Sequence, residues 1–446
     1  MGHGGARMKV CVLGLWHLGT VTAACLAAAG NEVVGLDFDA ETVRRLQTGR
    51  PPLFEPGLED LVKNGLKERR LRFTTDIPGA LEGVEIVWVA YDTPVDEQDR
   101  ADVMFVVERV ERLFPYLPTG ALVLISSQLP VGSTRRLERG YASAYSNKPV
   151  TFCYSPENLR LGKAISVFTR PDRVVVGIPA DMDTTRVSAL LRPFTERIEY
   201  MSIESAEMTK HALNAFLAVS VTFANEVATL CEKVGADAKE VERGLKSEAR
   251  IGPQAYLSPG SAFSGGTLAR DISFLTEIGM RNGDPTPLLS AVRVSNDAHK
   301  HWVRRKLKLL LGGFNEKRIT VWGLTYKPGT DTLRRSISVE LCSWLAEQGA
   351  RVQAHDPSAE SLPDDLAAKV TLHRTPLAAL EQSAALVVAT EWPEYLALTA
   401  DAVAKAMSMP VVIDPNRFLV KTLGHDPRVA YFAVGSPAAL QNKESA

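Results

Sequence analysis

Three groups of residues have types and spacings that can do chemistry. Gly14-Leu-Trp-His-Leu-Gly19 closes a short apolar run and opens an apolar, helix-like stretch. Glycines at such a strand-to-helix turn let a pyrophosphate approach backbone N–H groups at the positive end of a helix dipole. The motif lacks its middle glycine, because Trp16 stands there. Asp37 ends the next apolar run, 23 residues past Gly14, where a carboxylate can accept from both ribose hydroxyls. A 2′-phosphate would meet that negative charge, so NAD is expected and NADP is not. Two readings stay open for Trp16: it reshapes the pocket or leans on the cofactor, or it packs against the helix start. The second group is Lys210 and Asn214, at i and i+4 of a helical pattern, where one face presents an ammonium beside an amide. Taken alone, such a pair is an ordinary surface pair. The third group is defined by what it lacks. The five cysteines, Cys11, Cys25, Cys153, Cys231 and Cys342, fall mostly inside apolar runs and in neither disulfide nor zinc spacing. None has a loop setting beside a basic residue, where a reactive thiolate forms. No metal site is expected, and a reducing cytoplasm is.

The elements that must position these residues alternate. Strands are expected at 9–13, 32–37, 85–90, 121–126 and 173–177, with helices at about 18–29, 103–114 and 183–191 between them. This alternation predicts a parallel sheet covered on both faces. From about 205 to 234 the pattern becomes one long amphipathic helix without internal Gly or Pro, a domain-joining backbone, a dimer core or an ordinary buried helix. Strand–helix alternation resumes at 318–323, 338–348, 351–354, 385–389 and 411–414. The expected division is therefore 8–204, 205–312 and 313–446. At 446 residues two or three domains are expected, and 45% hydrophobic with 23% charged residues is ordinary for a soluble protein. A net charge of −1 argues against bulk binding to nucleic acid or a membrane surface and still permits local basic pockets for a diphosphate. Residues 1–7 read as a tail lacking the apolar core of a signal peptide, and no run is expected to approach the roughly 18 apolar residues that span a bilayer.

The segment Pro259-Gly-Ser-Ala-Phe-Ser-Gly-Gly-Thr-Leu-Ala-Arg-Asp271 resembles the catalytic loop of the UDP-glucose/GDP-mannose dehydrogenase family, which normally reads Pro-Gly-x-Gly-Phe-Gly-Gly-Ser-Cys-Phe-x-Lys-Asp. Further motifs match in order: Phe54-Glu-Pro-Gly-Leu58, Phe73-Thr-Thr-Asp76, Tyr91-Asp-Thr-Pro94 and Ser155-Pro-Glu-Asn-Leu-Arg-Leu-Gly-Lys-Ala164. Ala206-Glu-Met-Thr-Lys-His-Ala-Leu-Asn214, Arg250-Ile-Gly252, Gly323-Leu-Thr-Tyr-Lys-Pro-Gly-Thr-Asp331 and Thr390-Glu-Trp392 continue the series. The resemblance runs from Met8 to about Phe432. It implies an α/β fold with an N-terminal Rossmann-like NAD domain, a central long-helix dimerisation segment and a C-terminal Rossmann-like nucleotide-sugar domain. It assigns catalysis to Lys210, Asn214, Asp271 and Glu157, the lysine and asparagine stabilising an oxyanion and holding a water with Asp271. Gly14, Trp16, His17, Leu18, Gly19, Asp37, Thr93, Gln128 and Arg334 fall on the cofactor side. Leu159, Arg160, Arg250, Phe263, Gly266 and Lys327 fall on the sugar-nucleotide side, with Arg250 reaching a neighbouring subunit's site in a homodimer or larger homo-oligomer.

The chain departs from the family pattern at the chemistry. Thr267 occupies the nucleophilic cysteine's place, Gln128 a threonine's and Leu161 a glutamate's; Gly266 and Arg270 are milder changes. A thiol can hold an aldehyde and release it as a thioester, whereas an unactivated hydroxyl is a poor substitute. The parts for one hydride transfer survive and those for covalent capture do not. The expectation is thus a two-electron oxidation of a nucleotide-linked sugar alcohol. The competing expectations are four-electron oxidation through an aldehyde hydrate, an NAD-dependent epimerase, and a non-catalytic sugar-nucleotide binder.

Overall fold

The computed structural model describes residues 7–96, 100–264, 266–333 and 336–437. The chain divides into two compact units, Met1–Ala212 and Leu213–Ala446. In the first, eight strands lie in the order β3-β2-β1-β4-β5-β6-β7-β8. They are β1 (Lys9–Leu13), β2 (Glu32–Leu36), β3 (Leu71–Thr74), β4 (Ile86–Val89), β5 (Leu122–Ile125), β6 (Thr151–Tyr154), β7 (Val174–Ile178) and β8 (Ile198–Ser202). All pairs are parallel except β6 and β7, which meet antiparallel at Tyr154 and Gly177. The wholly parallel sheet expected from the alternation is broken there. The connection from β6 to β7 returns without a crossover, which only an antiparallel neighbour permits.

Side-chain alternation loads both faces of this sheet. Val10, Val12, Ile86, Trp88, Leu122 and Leu124 join one core with Val21 and Leu26 of the helix His17–Ala28. Cys11, Leu13, Val87, Val89, Val123 and Ile125 join the other with Val106, Val110 and Leu137. Each fully buried aliphatic side chain contributes about 1.5–3 kcal/mol, which is why these strands read as unbroken apolar runs.

The second unit repeats the construction in a six-stranded sheet ordered β11-β10-β9-β12-β13-β14 and parallel throughout. Its strands are β9 (Arg318–Trp322), β10 (Arg351–His355), β11 (Val370–Leu372), β12 (Ala385–Val388), β13 (Val411–Ile413) and β14 (Ala430–Phe432). The two sheets share a detail. Gly14 (φ +91°) donates its N–H to Leu36 O at 2.9 Å, and Gly323 (φ +86°) donates to His355 O at 2.8 Å. Asp37 Oδ2 accepts from Leu15 N at 2.6 Å, and Asp356 Oδ2 accepts from Leu324 N at 2.7 Å. The same strand–glycine–aspartate joint is built twice.

The helix Ile203–Val234 is 32 residues long, about 48 Å at 1.5 Å per residue. By length and composition it could cross a bilayer, with an 18-residue window of mean hydropathy 1.3; this corrects the expectation that no stretch approaches that threshold. The helix nevertheless carries Glu207, Lys210, His211, Asn214 and Asn225, all buried. Its small residues Ala215 and Ala218 are buried against Ile272 and Val292, as in a core helix.

A Cβ on Gly19 would lie 1.6 Å from Gly14 O, inside the glycine turn. Gly19→Ala must therefore part the helix His17–Ala28 from β1, an overpacking cost of about 1–3 kcal/mol or more. The expected result is a melting temperature lower by several degrees together with loss of NAD binding. Thermal unfolding followed by NAD titration checks it, and a wild-type result in both would refute the close approach.

Candidate functional site

In the first unit, β1 and β4 are neighbours whose connections leave in opposite directions, the crevice where such sheets bind ligands. Gly14 and the start of the helix His17–Ala28 border that crevice. The N-cap residue Trp16 makes no side-chain cap hydrogen bond, so the first-turn N–H groups take no acceptor from it and suit phosphate oxygens. Trp16 is 49% exposed, so about half of it is open to solvent. Asp37 is buried, with Oδ2 on Leu15 N at 2.6 Å and Oδ1 on Asp39 N at 3.0 Å. Each carboxylate oxygen keeps a lone pair for a ribose hydroxyl. These donors and this acceptor fit NAD, with a 2′-phosphate disfavoured. Leu18 is buried in the core, which leaves only its backbone for a cofactor. Thr93 and Gln128 are both buried and joined, Thr93 Oγ1 donating to Gln128 O at 2.7 Å. Arg334 lies outside the described residues.

The segment 155–164 carries the next group. Lys210 is 6% exposed, and its Nζ donates to Glu157 O at 2.5 Å and to Asn158 Oδ1 at 3.4 Å, with Glu157 Oε1 at 3.9 Å. Glu157 Oε2 accepts from Leu159 N at 2.7 Å, which turns the loop back on itself. The Leu159 side chain rests on the core and Arg160 is exposed. Two side chains near Lys210 on its own helix lock that helix. Glu207 accepts from Gly132 N at 2.5 Å and Thr134 N at 3.0 Å, at the start of the helix Ser133–Ala144. Burial pushes the Glu207 carboxyl up, against these two N–H bonds. His211 Nε2 lies 2.9 Å from Leu129 O, to which it donates as the Nε2–H tautomer. Glu207 and His211 escaped the sequence reading as site residues, although both belong to the 206–214 motif.

In the second unit, Asn214 Nδ2 donates to Asp271 Oδ2, and both residues are buried. Thr267 is exposed on the first turn of the helix Gly266–Asn282, with Asp271 one turn on. The loop before this helix is pinned by four side chains. Asn225 Oδ1 takes Gly260 N at 2.9 Å, and His299 Nε2 meets Gly260 O at 2.8 Å. Asn416 Oδ1 takes Ser261 N at 2.7 Å, and Asn296 both accepts from Phe263 N and donates to Phe263 O at 3.0 Å. Burial holds the His299 imidazole below its ordinary value, so it serves as a neutral donor. Arg250 stands apart from this group, its side chain 87% exposed and paired with Glu248 at 2.9 Å.

Lys327 lines a cleft of about 220 Å³ beside β9 and β12, the crevice of the second sheet. Lys300 and Arg304 line it as well, with Ser336 and Ser338 at the start of the helix Ile337–Glu347. Three cations and a helix N-terminus suit a diphosphate. Sequence reading missed Lys300 and Arg304, which look like solvated charges at a helix junction. Glu391 also lines the cleft, its carboxyl pushed up by burial and then by Asp414. Among the described residues no cluster of three or more His, Cys, Asp or Glu could hold a metal ion.

Comparison with known proteins places this geometry. Residues 8–195 match the NAD binding domain of the UDP-glucose/GDP-mannose dehydrogenase family, 204–298 its central domain and 320–421 its UDP binding domain. The chain is 34% identical to a UDP-glucose 6-dehydrogenase of Pseudomonas aeruginosa, over 98% of this chain and 100% of the relative. It is 32% identical to one of Rhizobium meliloti, over 96% and 100%. Among solved structures it is similar to a UDP-glucose dehydrogenase of Pyrobaculum islandicum, with a TM-score of 0.83 at 30% identity over 93% of this chain and 95% of that one.

Proposed function

Because the chain belongs to the UDP-glucose/GDP-mannose dehydrogenase family, we propose that this NAD-dependent nucleotide-sugar dehydrogenase stops after two electrons, taking the C6 primary alcohol of a nucleotide-linked hexose to an aldehyde. One observation carries the reading: Thr267 is exposed at the loop's chemical position while all five cysteines are buried. Burial pushes Cys11, Cys25, Cys153 and Cys342 up to about 12, and raises Cys231 too. None of them is a thiolate near neutral pH.

When bound, NAD accepts the hydride from C6. Lys210 stabilises the oxygen that loses its proton, and Lys210 or a water held by Asp271 and Asn214 carries that proton away. Lys327, Lys300 and Arg304 hold the diphosphate, with Phe263 on the loop and Gly266 at the start of the helix Gly266–Asn282 beside the sugar. UDP-glucose is the first substrate to try, since the Pseudomonas aeruginosa and Rhizobium meliloti relatives are UDP-glucose 6-dehydrogenases by name. Incubation with NAD and a panel of nucleotide-sugars, with products identified by mass, tests the reading. One NADH per sugar and an aldehyde support it. Two NADH per sugar would establish the hydrate route, product without net NADH an epimerase, and binding without turnover a sensor.

The same proposal includes the three-part division at 8–204, 205–312 and 313–446, a cytoplasmic setting and a homodimer. Support for the dimer is a stripe on the long helix. Phe216, Phe223 and Leu230 recur every seven residues and are 68%, 48% and 64% exposed. Heptad spacing is what pairs two copies of a helix. Phe216→Glu with Phe223→Glu should yield a monomer at micromolar concentration in sedimentation velocity. An unchanged sedimentation coefficient would sink the seam.

A further inference from the structure

The motif Phe54-Glu-Pro-Gly-Leu58 has no part in the chemistry so far, yet Glu55 is placed to act on it. Its side chain is 1% exposed. Oε2 accepts from His17 Nε2 at 2.9 Å and from Gly162 N at 2.7 Å, while Oε1 accepts from Ala164 N at 2.9 Å. His17 is the first residue of the helix His17–Ala28, at the glycine turn. Gly162 and Ala164 close the loop that holds Lys210 through Glu157 O, and Ala164 opens the helix Ala164–Thr169. The other end of that loop is tied to β5 by Ser155 N on Ile125 O at 2.8 Å. A single buried carboxylate therefore joins the cofactor turn to the far end of the lysine-binding loop. One oxygen serves both, so any re-aiming of His17 changes the electron density offered to Gly162.

We propose that Glu55 is a positioning residue through which NAD binding at the glycine turn tightens the 155–163 loop. It touches neither cofactor nor sugar, and it rests on the reading that this loop serves the sugar. Charge-assisted bonds of a buried carboxylate cannot be matched by an amide. Glutamine at this position offers one acceptor oxygen to three donors.

The test is amide hydrogen exchange at Gly162 and Ala164 in the full chain, without and with saturating NAD. In the wild type NAD should slow both amides. Glu55→Gln should exchange roughly 10- to 100-fold faster without NAD and respond little to it. His17→Phe keeps the two amide bonds, so its unliganded exchange should stay near wild type while the response to NAD disappears. Saturating each variant with NAD separates lost coupling from weakened affinity, and if Glu55→Gln fails to fold the His17→Phe arm decides. With UDP-glucose as probe, Glu55→Gln should raise the sugar-nucleotide KM more than the NAD KM, a split that general loosening would not give. An NAD response that is absent from the wild type, or unchanged in His17→Phe, overturns the proposal. Intact exchange behaviour with no UDP-glucose turnover in the wild type would instead sink the substrate reading and leave the coupling standing.

Discussion

Lys210→Ala should lower kcat by roughly 10²–10⁴-fold, the range for a positioned acid–base or oxyanion-stabilising group, and leave NAD affinity close to wild type. Lys210 is nearly buried and held by the Glu157 carbonyl at 2.5 Å, while the glycine turn and Asp37 owe it no contact among those seen. Its helix is fixed independently by Glu207 on the Gly132 and Thr134 amides and by His211 on Leu129 O. Alanine thus removes the ammonium without releasing the helix. The cost to stability is the stranded Glu157 carbonyl, about 1–3 kcal/mol. Steady-state kinetics with UDP-glucose and NAD, beside calorimetry for NAD alone, separates the two effects. A loss smaller than tenfold would falsify the assignment of Lys210 to the chemistry. Equal losses in turnover and NAD affinity would make it a structural residue.

Much of this frame is legible in the sequence because of how it is buried. β1, Lys-Val-Cys-Val-Leu, and β9, Arg-Ile-Thr-Val-Trp, are mostly apolar runs followed by glycine, and their bounds agree with the apolar pattern to within a residue. β6, Thr-Phe-Cys-Tyr, is central and buried yet was not expected, being only four residues long; the other unread strands are of another kind. β3 reads Leu-Arg-Phe-Thr and β8 reads Ile-Glu-Tyr-Met-Ser, edge strands with charged or exposed positions and little apolar signal. β11 and β14 are three residues each and, unlike the equally short Val-Val-Ile of β13, are not wholly buried, so they carry little apolar signal. In the site, Asp37 could be found because its spacing from Gly14 is fixed by one strand, one helix and one strand. Glu55 could not, because its partners Gly162 and Ala164 are more than 100 residues away and are backbone amides, which have no sequence signature. Lys300 and Arg304 were hidden for the same reason, since only the crevice of the second sheet makes them more than surface charges. Asp356 marks the opposite limit. Its position at a strand end resembles that of Asp37, but Oδ2 is taken up by Leu324 N, Thr325 N, Thr325 Oγ1 and Trp392 Nε1, so the repeated architecture does not carry a repeated ribose site.

Thr267→Cys should raise the yield of NADH from one to two per sugar and replace the aldehyde by a carboxylate. The position is exposed on the first turn of the helix Gly266–Asn282, where N–H groups and the helix dipole favour a thiolate. The loop before it is held by Asn225, Asn296, His299 and Asn416 through bonds to Gly260, Ser261 and Phe263, which the substitution leaves in place. A thiolate there can add to the aldehyde carbon. Loss of a second hydride to a second NAD then leaves a thioester, and water releases the acid and restores the thiol. An unactivated threonine hydroxyl is a poor nucleophile toward an aldehyde, so the wild type is expected to halt at the first product. Alkylation supplies an independent readout: the native thiols are buried, so rapid inactivation by iodoacetamide should be gained only in the variant. If the variant still yields one NADH per sugar while its new thiol is alkylated readily, residue 267 is accessible but not where the aldehyde forms, and the stop after two electrons must have a cause other than the missing sulfur.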